Sequence, residues 1–256
     1  MNRLQQLFQT KKKDLLSIYY TAGYPNLDDT LTIAKALETN GADFLEIGFP
    51  YSDPVADGPT IQASSKTALD AGMTLPLLFE QLADLRKQVD IPVLLMGYVN
   101  VVLQYGVEEF CKKCQEVGVD GCIIPDLPMY EFEELYQPTF EKYGLSNIFL
   151  VTPQTSVERI RKIDELSNAF IYLVSSSATT GSNLTVSESS AAYFKRIADM
   201  NLKNPFVIGF GISDRASYNA ANEYASGAII GSAFVKALDA EEPIEEKVKD
   251  FMQTIR

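Results

Sequence analysis

Short apolar runs alternate with longer amphipathic stretches along the whole chain, and this alternation constrains the fold more than any other feature. Runs with strand character lie at Leu15–Tyr20, Phe44–Ile47, Val93–Met96, Gly121–Ile124, Asn147–Val151, Phe170–Val174, Pro205–Ile208 and Ala228–Ile230. Between them lie stretches of helical character, among them Leu27–Thr39, Leu75–Gln88 and Val107–Glu116. A strand, a helix and a further strand in succession require parallel pairing through right-handed crossovers. Eight such units in 256 residues predict an α/β protein closed into a (β/α)8 barrel, a fold of about 250 residues. An open doubly wound sheet is the rival, since alternation alone allows both; the number of strands favours closure. No linker or low-complexity segment interrupts the pattern, so residues 1–256 are read as one domain.

Local turn chemistry agrees. Gly41-Ala42-Asp43 precedes the second run and Gly118-Val119-Asp120 the fourth, a glycine closing a helix and a polar residue opening a buried strand. Ser226-Gly227 is a partial third copy. The Lys11-Lys12-Lys13 run reads as a solvated helix end.

Composition narrows the function. There are 22 basic and 34 acidic residues, a formal net charge of −12, which disfavours nucleic-acid and anionic membrane partners. An anionic substrate would need a local site built from backbone N–H groups. The chain has no histidine, so Ser–His and Cys–His nucleophile pairs and histidine metal sites are excluded. Acid–base chemistry falls to Asp, Glu, Lys, Tyr or Cys. Cys111, Cys114 and Cys122 form no disulfide framework and suggest a reducing compartment. Cys111-Lys112-Lys113-Cys114 lies inside a helical stretch with no second pair, so helix packing is favoured over zinc or redox chemistry. The amino terminus has no apolar run of signal length, and no stretch approaches the roughly 20 apolar residues that cross a bilayer. A soluble, cytoplasmic protein is expected.

In a parallel barrel the chemistry gathers at the carboxyl ends of the strands. On the second strand Phe44, Glu46 and Gly48 share one face, which places a carboxylate in an apolar wall. A structural ion pair is one reading. The other is a general acid–base whose pKa burial raises towards neutrality. The proline-rich loop that follows presents Asp57 over the same mouth, although Asp57-Gly58-Pro59 also reads simply as a turn. Thr179-Thr180-Gly181-Ser182, Gly209-Phe210-Gly211-Ile212-Ser213 and Gly231-Ser232-Ala233 are glycine-rich strand ends of the kind that hold a phosphate on backbone N–H groups. Tyr172 alternates with Phe170 and Val174 and either points into the barrel or packs in the core. These residues describe a barrel that binds a phosphorylated, largely apolar molecule and acts through carboxylates. They do not specify the reaction.

The run from Leu45 to Gln62, Leu-Glu-Ile-Gly-Phe-Pro-Tyr-Ser-Asp-Pro-Val-Ala-Asp-Gly-Pro-Thr-Ile-Gln, closely resembles the signature of tryptophan synthase α subunits. The likeness extends to Thr21-Ala22-Gly23-Tyr24-Pro25, Leu95-Met96-Gly97-Tyr98-Val99-Asn100, Pro125-Asp126-Leu127-Pro128 and the segment Gly209–Ser213. The resemblance implies a TIM barrel with additional short helices and a lyase of tryptophan biosynthesis. Such an enzyme cleaves indole-3-glycerol phosphate to indole and glyceraldehyde 3-phosphate. It implies that Glu46 protonates the indole ring carbon and helps deprotonate the glycerol hydroxyl, while Asp57 accepts the indole N–H bond. Tyr172, Tyr19 and Tyr98 would line the substrate pocket, and Thr180, Gly181, Gly211, Gly231 and Ser232 would serve the phosphate. The family docks on a β subunit as an α2β2 heterotetramer, with Asp53, Pro54, Asn100, Asp126 and Pro128 expected near the interface. Pyridoxal phosphate would belong to that partner, leaving this chain without a cofactor. After the sixth strand the segment Ser175–Asn183 departs from the family pattern, in which some members carry an arginine and many a glycine-valine pair. Other readings are a different phosphosugar isomerase or aldolase barrel, or a barrel with little catalysis that activates a partner.

Overall fold

The computed structural model describes residues 1–174, 188–209 and 211–256. Nine parallel strand segments form one sheet: β1 (Leu15–Thr21), β2 (Phe44–Gly48), β3 (Val93–Met96), β4 (Gly121–Ile123), β5 (Ser146–Ile148), β6 (Leu150–Val151), β7 (Ile171–Val174), β8 (Phe206–Gly209) and β9 (Gly227–Ile230). They lie in the order β5-β4-β3-β2-β1-β9-β8-β7-β6. The two ends of that order, β5 and β6, are separated in the chain only by Phe149, whose carbonyl accepts the Tyr172 N–H at 3.0 Å. The ring is therefore closed by the chain itself, with eight barrel positions, and the open-sheet rival is excluded.

The fifth expected strand, Asn147–Val151, is divided at Phe149. Its first half pairs with β4 and its second with β7. The stagger that barrel closure imposes has moved the two neighbours to different heights, so no residue is paired on both sides. The helix expected over Leu27–Thr39 starts at Thr30, because Asn26 and Asp29 close a turn first: the Asp29 N–H donates to the Asn26 carbonyl, and the Asn26 amide donates to the Asp29 carboxylate at 2.7 Å. The Leu75–Gln88 stretch is three consecutive short pieces, Leu75–Gln81, Leu82–Asp84 and Leu85–Gln88.

Inside the barrel Phe44, Leu94, Ile123, Ile148, Val207 and Ile229 pack together, one set of alternate residues from each strand. The amino-terminal helix Arg3–Thr10 closes the lower opening with Leu4 and Phe8. The Phe8 ring stacks on Phe170 at 5.1 Å and meets Phe44 edge-on at 5.9 Å. Alternate residues such as Leu45, Ile47, Leu95 and Cys122 belong to the separate core between sheet and helices. Cys111 and Cys114 lie on the helix Val107–Val117, and all three thiols are buried in that outer core, as the packing reading expects.

The expected glycine-to-aspartate turns stitch the lower rim. Gly41 and Gly118 adopt φ of +92° and +84°, where a side chain would be strained. The aspartate that follows each accepts a backbone N–H from the strand before it. Asp43 takes Leu16 at 2.9 Å, and Asp120 takes Val93 at 3.0 Å together with the Arg86 guanidinium at 2.7 Å. The lysine run is more engaged than a solvated helix end. Lys11 pairs with Asp43 at 2.6 Å, Lys12 donates to the Phe8 carbonyl, and Lys13 donates to the Asn222 and Ala225 carbonyls of a distant helix end.

Asp120 is 2% exposed at its side chain and satisfies both a guanidinium and a strand end. Asp120→Ala should cost about 3–5 kcal/mol by leaving the Arg86 charge without its carboxylate and the Val93 N–H without an acceptor. In thermal unfolding the Tm should fall by roughly 10 °C; a fall under about 2 °C would show that the lower rim does not depend on this group.

Candidate active site

Strand alternation carries Glu46 into the barrel interior, level with Tyr19 on β1 and Leu94 on β3. Glu46 is fully buried, and neither of its oxygens has a hydrogen-bond partner among the described residues. The ion-pair reading thus finds no support. Burial pushes the carboxyl pKa up from 4.5 to about 8, because the charged form has lost its water. The nearby Ser17 side chain opposes the shift, without closing a hydrogen bond of ordinary geometry.

Asp57 arrives from the loop after β2. The turn ends at Asp57 where the sequence suggested it would begin: the Asp57 N–H donates to the Pro54 carbonyl at 3.0 Å, and Gly58-Pro59 opens the helix Pro59–Asp70. Proline at the first helical position suits that start, and the positive end of the helix favours a carboxylate beside it. The Tyr98 hydroxyl donates to Asp57 Oδ2 at 3.0 Å and accepts the Ala56 N–H at 3.0 Å, which pins the loop. Burial raises the Asp57 pKa from 3.8 to about 6, and the Tyr98 bond holds it from going higher.

Two tyrosines complete the mouth, each accommodated by a glycine. A Cβ on Gly48 would lie 2.2 Å from the Tyr19 hydroxyl, and one on Gly209 would lie 2.0 Å from that of Tyr172. Only glycine leaves space for either ring. The Tyr172 hydroxyl pKa is raised by burial first and then by Glu46 and Asp57; that of Tyr19 is raised by burial and then by the same two carboxylates. Both carboxyls therefore act on both phenols at close range. A narrow cleft lined by Tyr19, Phe49, Tyr51, Asp57, Met96 and Tyr98 opens beside them.

The glycine-rich ends lie at the same opening, after β8 and β9. The Ile18↔Ile230 register puts Gly231 level with Tyr19, 3.5 Å from whose ring a Cβ on Gly231 would stand. Ser232 opens the helix Ser232–Ala237, and its Oγ is buried without a partner among the described residues. Gly211 has a φ of +77°. Thr180, Gly181 and the divergent Ser175–Asn183 segment lie outside the described residues.

Asp53 and Pro54 lie on the loop after β2, Asn100 in the first turn of the helix Val99–Tyr105 after β3, and Asp126 and Pro128 on the loop after β4; Pro54 is half-buried and the others are exposed. The loops are joined to one another and to the site. Asp126 accepts the Val99 N–H at 2.9 Å, and Asn100 donates to the Tyr51 hydroxyl at 3.1 Å. The Tyr51 ring lies 5.2 Å from that of Tyr98, the residue that holds Asp57. Tyr51 and Ser17 were missed from sequence: an aromatic in a loop and a serine in an apolar strand carry no distinguishing pattern.

A closed parallel barrel with two carboxyls of raised and unequal pKa at its mouth defines a barrel enzyme equipped for acid–base chemistry. The chain belongs to the tryptophan synthase alpha chain family, whose model, described as "Tryptophan synthase alpha chain", matches residues 4–256. It is 60% identical to the tryptophan synthase alpha chain of Flavobacterium psychrophilum over 238 residues, covering 93% of this chain and 94% of that one. Identity to the alpha chain of Flavobacterium johnsoniae is 57% over 256 residues, all of both chains. Among solved structures, tryptophan synthase subunit alpha from Legionella pneumophila superposes with a TM-score of 0.87 at 31% identity, covering 100% of this chain and 97% of that one.

Between its ordinary value and about 8, Glu46 keeps a proton in the native protein that the unfolded chain has released. Stability therefore falls as pH rises through that window, by a total on the order of 5 kcal/mol. Glu46→Gln removes this dependence, so its Tm relative to wild type should rise by several degrees from pH 5 to pH 8. A difference that is the same at both pH values would mean that the carboxyl is not held protonated.

Proposed function

We propose that this chain cleaves indole-3-glycerol phosphate to indole and glyceraldehyde 3-phosphate, with Glu46 as general acid–base and Asp57 as the carboxylate facing the indole nitrogen. The observation that carries the reading is the split between the two carboxyls, about 8 for Glu46 and about 6 for Asp57. Near pH 7 the first is a carboxylic acid and the second a carboxylate, the division of labour that the reaction needs.

The steps follow from that division. The Glu46 carboxylic acid gives its proton to the ring carbon that bears the glycerol chain. Positive charge develops at the ring nitrogen, whose N–H donates to ionised Asp57. Because that charge is absent from the substrate, Asp57 stabilises the intermediate more than the ground state. Glu46, now a carboxylate, takes the proton of the adjacent glycerol hydroxyl. As the carbonyl forms, the carbon–carbon bond breaks, and its electron pair returns to the ring and neutralises the nitrogen. Indole and the aldehyde leave, and Glu46 is again protonated.

Tyr172 and Tyr19 wall the indole side, and Tyr98 sets the position of Asp57. Gly211, Gly231 and Ser232, together with Thr180 and Gly181, serve the phosphate. The buried Ser232 hydroxyl without a partner supports this, as do the amides that open its helix. The cradle also suits a chain of net charge −12, since fixed N–H dipoles need no lysine. The chain acts as one domain in an α2β2 complex, docking through the Asp53, Pro54, Asn100, Asp126 and Pro128 surface. Indole passes to the β subunit, which holds the pyridoxal phosphate; this chain carries no cofactor. No helix among the described residues is long and apolar enough to cross a membrane. A reducing cytoplasm suits the three buried free thiols.

Glu46→Gln and Asp57→Asn should each lower indole release by about 10²–10⁴-fold while the fold is retained by circular dichroism. Near-normal turnover in either variant would remove that residue from the mechanism. In wild type kcat/KM should follow a bell with limbs near 6 and 8. Tyr98→Phe should move the acidic limb upward by freeing Asp57 of its donor, which separates that carboxyl from the substrate's phosphate; an unmoved limb would assign it to the phosphate.

A further inference from the structure

Among the polar groups of the barrel interior that the reaction does not use, one stands beside Glu46. Ser17 sits on β1 two residues before Tyr19, so it faces inward like Tyr19, on the strand beside Glu46. It is fully buried, and its hydroxyl has no hydrogen-bond partner among the described residues. The same is true of both Glu46 oxygens, so three unpaired polar atoms lie close together in an otherwise apolar interior. Leaving any one of them unpaired is costly, and the cost is relieved if they serve one another.

We propose that Ser17 is a positioning residue for Glu46, its hydroxyl bonding the carboxyl in both protonation states. The inference rests on the acid–base reading of Glu46. A hydroxyl is both donor and acceptor. It accepts from the carboxylic acid before the ring is protonated and donates to the carboxylate afterwards, so one group holds the carboxyl in place through both proton transfers. The direction in which Ser17 acts on the Glu46 pKa agrees, since donation favours the charged form. The ionisable groups that feel Glu46 are Tyr19 on β1 and Tyr172 on β7, and Asp57 acts on the same two phenols from the loop after β2; β3 presents the apolar Leu94. None of these donates to the carboxyl, which leaves Ser17 as the group within reach.

The test is the pH dependence of kcat/KM for glyceraldehyde 3-phosphate release by the full chain with its β subunit, in wild type, Ser17→Ala and Ser17→Thr. Ser17→Ala should move the basic limb to higher pH by about one unit, the effect of a hydrogen bond to a charged group. It should also lower the plateau several-fold, because a weaker acid protonates the ring more slowly. Ser17→Thr keeps the hydroxyl and should return the limb towards wild type. A merely structural serine would change Tm without moving the limb. An unmoved limb in Ser17→Ala, with Glu46→Gln inactive, overturns this inference alone. An active Glu46→Gln removes the acid–base reading and the inference with it. A threonine limb that stays with the alanine one assigns the effect to packing and also overturns it.

Discussion

A carboxyl taken out of water must find a charge partner, find donors or keep its proton. Among the described residues Glu46 has neither a cation nor a backbone N–H within hydrogen-bond distance, so keeping the proton costs least. The rest of the site depends on that. An acid available near neutrality is what a chain without histidine otherwise lacks. Asp57 lies under a weaker form of the same constraint: partly exposed, at a helix start and bonded by Tyr98, it is raised only to about 6 and stays ionised at the same pH. Two residues of similar intrinsic acidity are thus separated in role by solvation and by one phenol.

The barrel divides stability from function along its axis. At the lower rim Asp43 and Asp120 hold strand ends, Arg86 and Arg256 neutralise them, and Asp164 accepts the Lys203 and Asn204 N–H groups. Phe8, Phe44 and Phe170 seal the opening between them. Higher in the barrel the Glu46 carboxyl and the Ser232 hydroxyl are buried without such ties, and the Ser17 hydroxyl, in register with Phe44, lies below them in the same condition. Polar groups left unsatisfied cost stability, and Glu46 and Ser232 stand where a bound substrate can supply the missing partners. A mechanical link joins the segments after β2 and β3, since on the surface proposed for the β subunit Asn100 bonds to Tyr51, whose ring packs on that of Tyr98, the side chain that holds Asp57.

Much of this was legible in the residues. The strands were, because each is an apolar run bounded by turn chemistry, and Glu46 stood out as a charge where the pattern demands an apolar side chain. The function came from the long carboxylate loop, whose resemblance is specific in a way that glycines at strand ends are not. What was hidden depends on contacts between distant parts of the chain. The break at Phe149 arises from barrel stagger, and the residues on either side of it are alike in type. Lys13 looks solvated until the fold brings it to carbonyls more than 200 residues away. Gly209 reads as part of an anion cradle, yet the space it leaves is taken by the Tyr172 hydroxyl. Ser17 gains meaning only through the β1–β2 register.

The central claim is that a carboxylic acid persists inside the barrel at neutral pH. Infrared difference spectroscopy of wild type against Glu46→Gln reads it directly, through the carbonyl stretch of a protonated carboxyl. The account predicts that this band is present at pH 7, absent from the variant, and lost on titration with a midpoint near 8. A Glu46 carboxyl already ionised below pH 6 would contradict it.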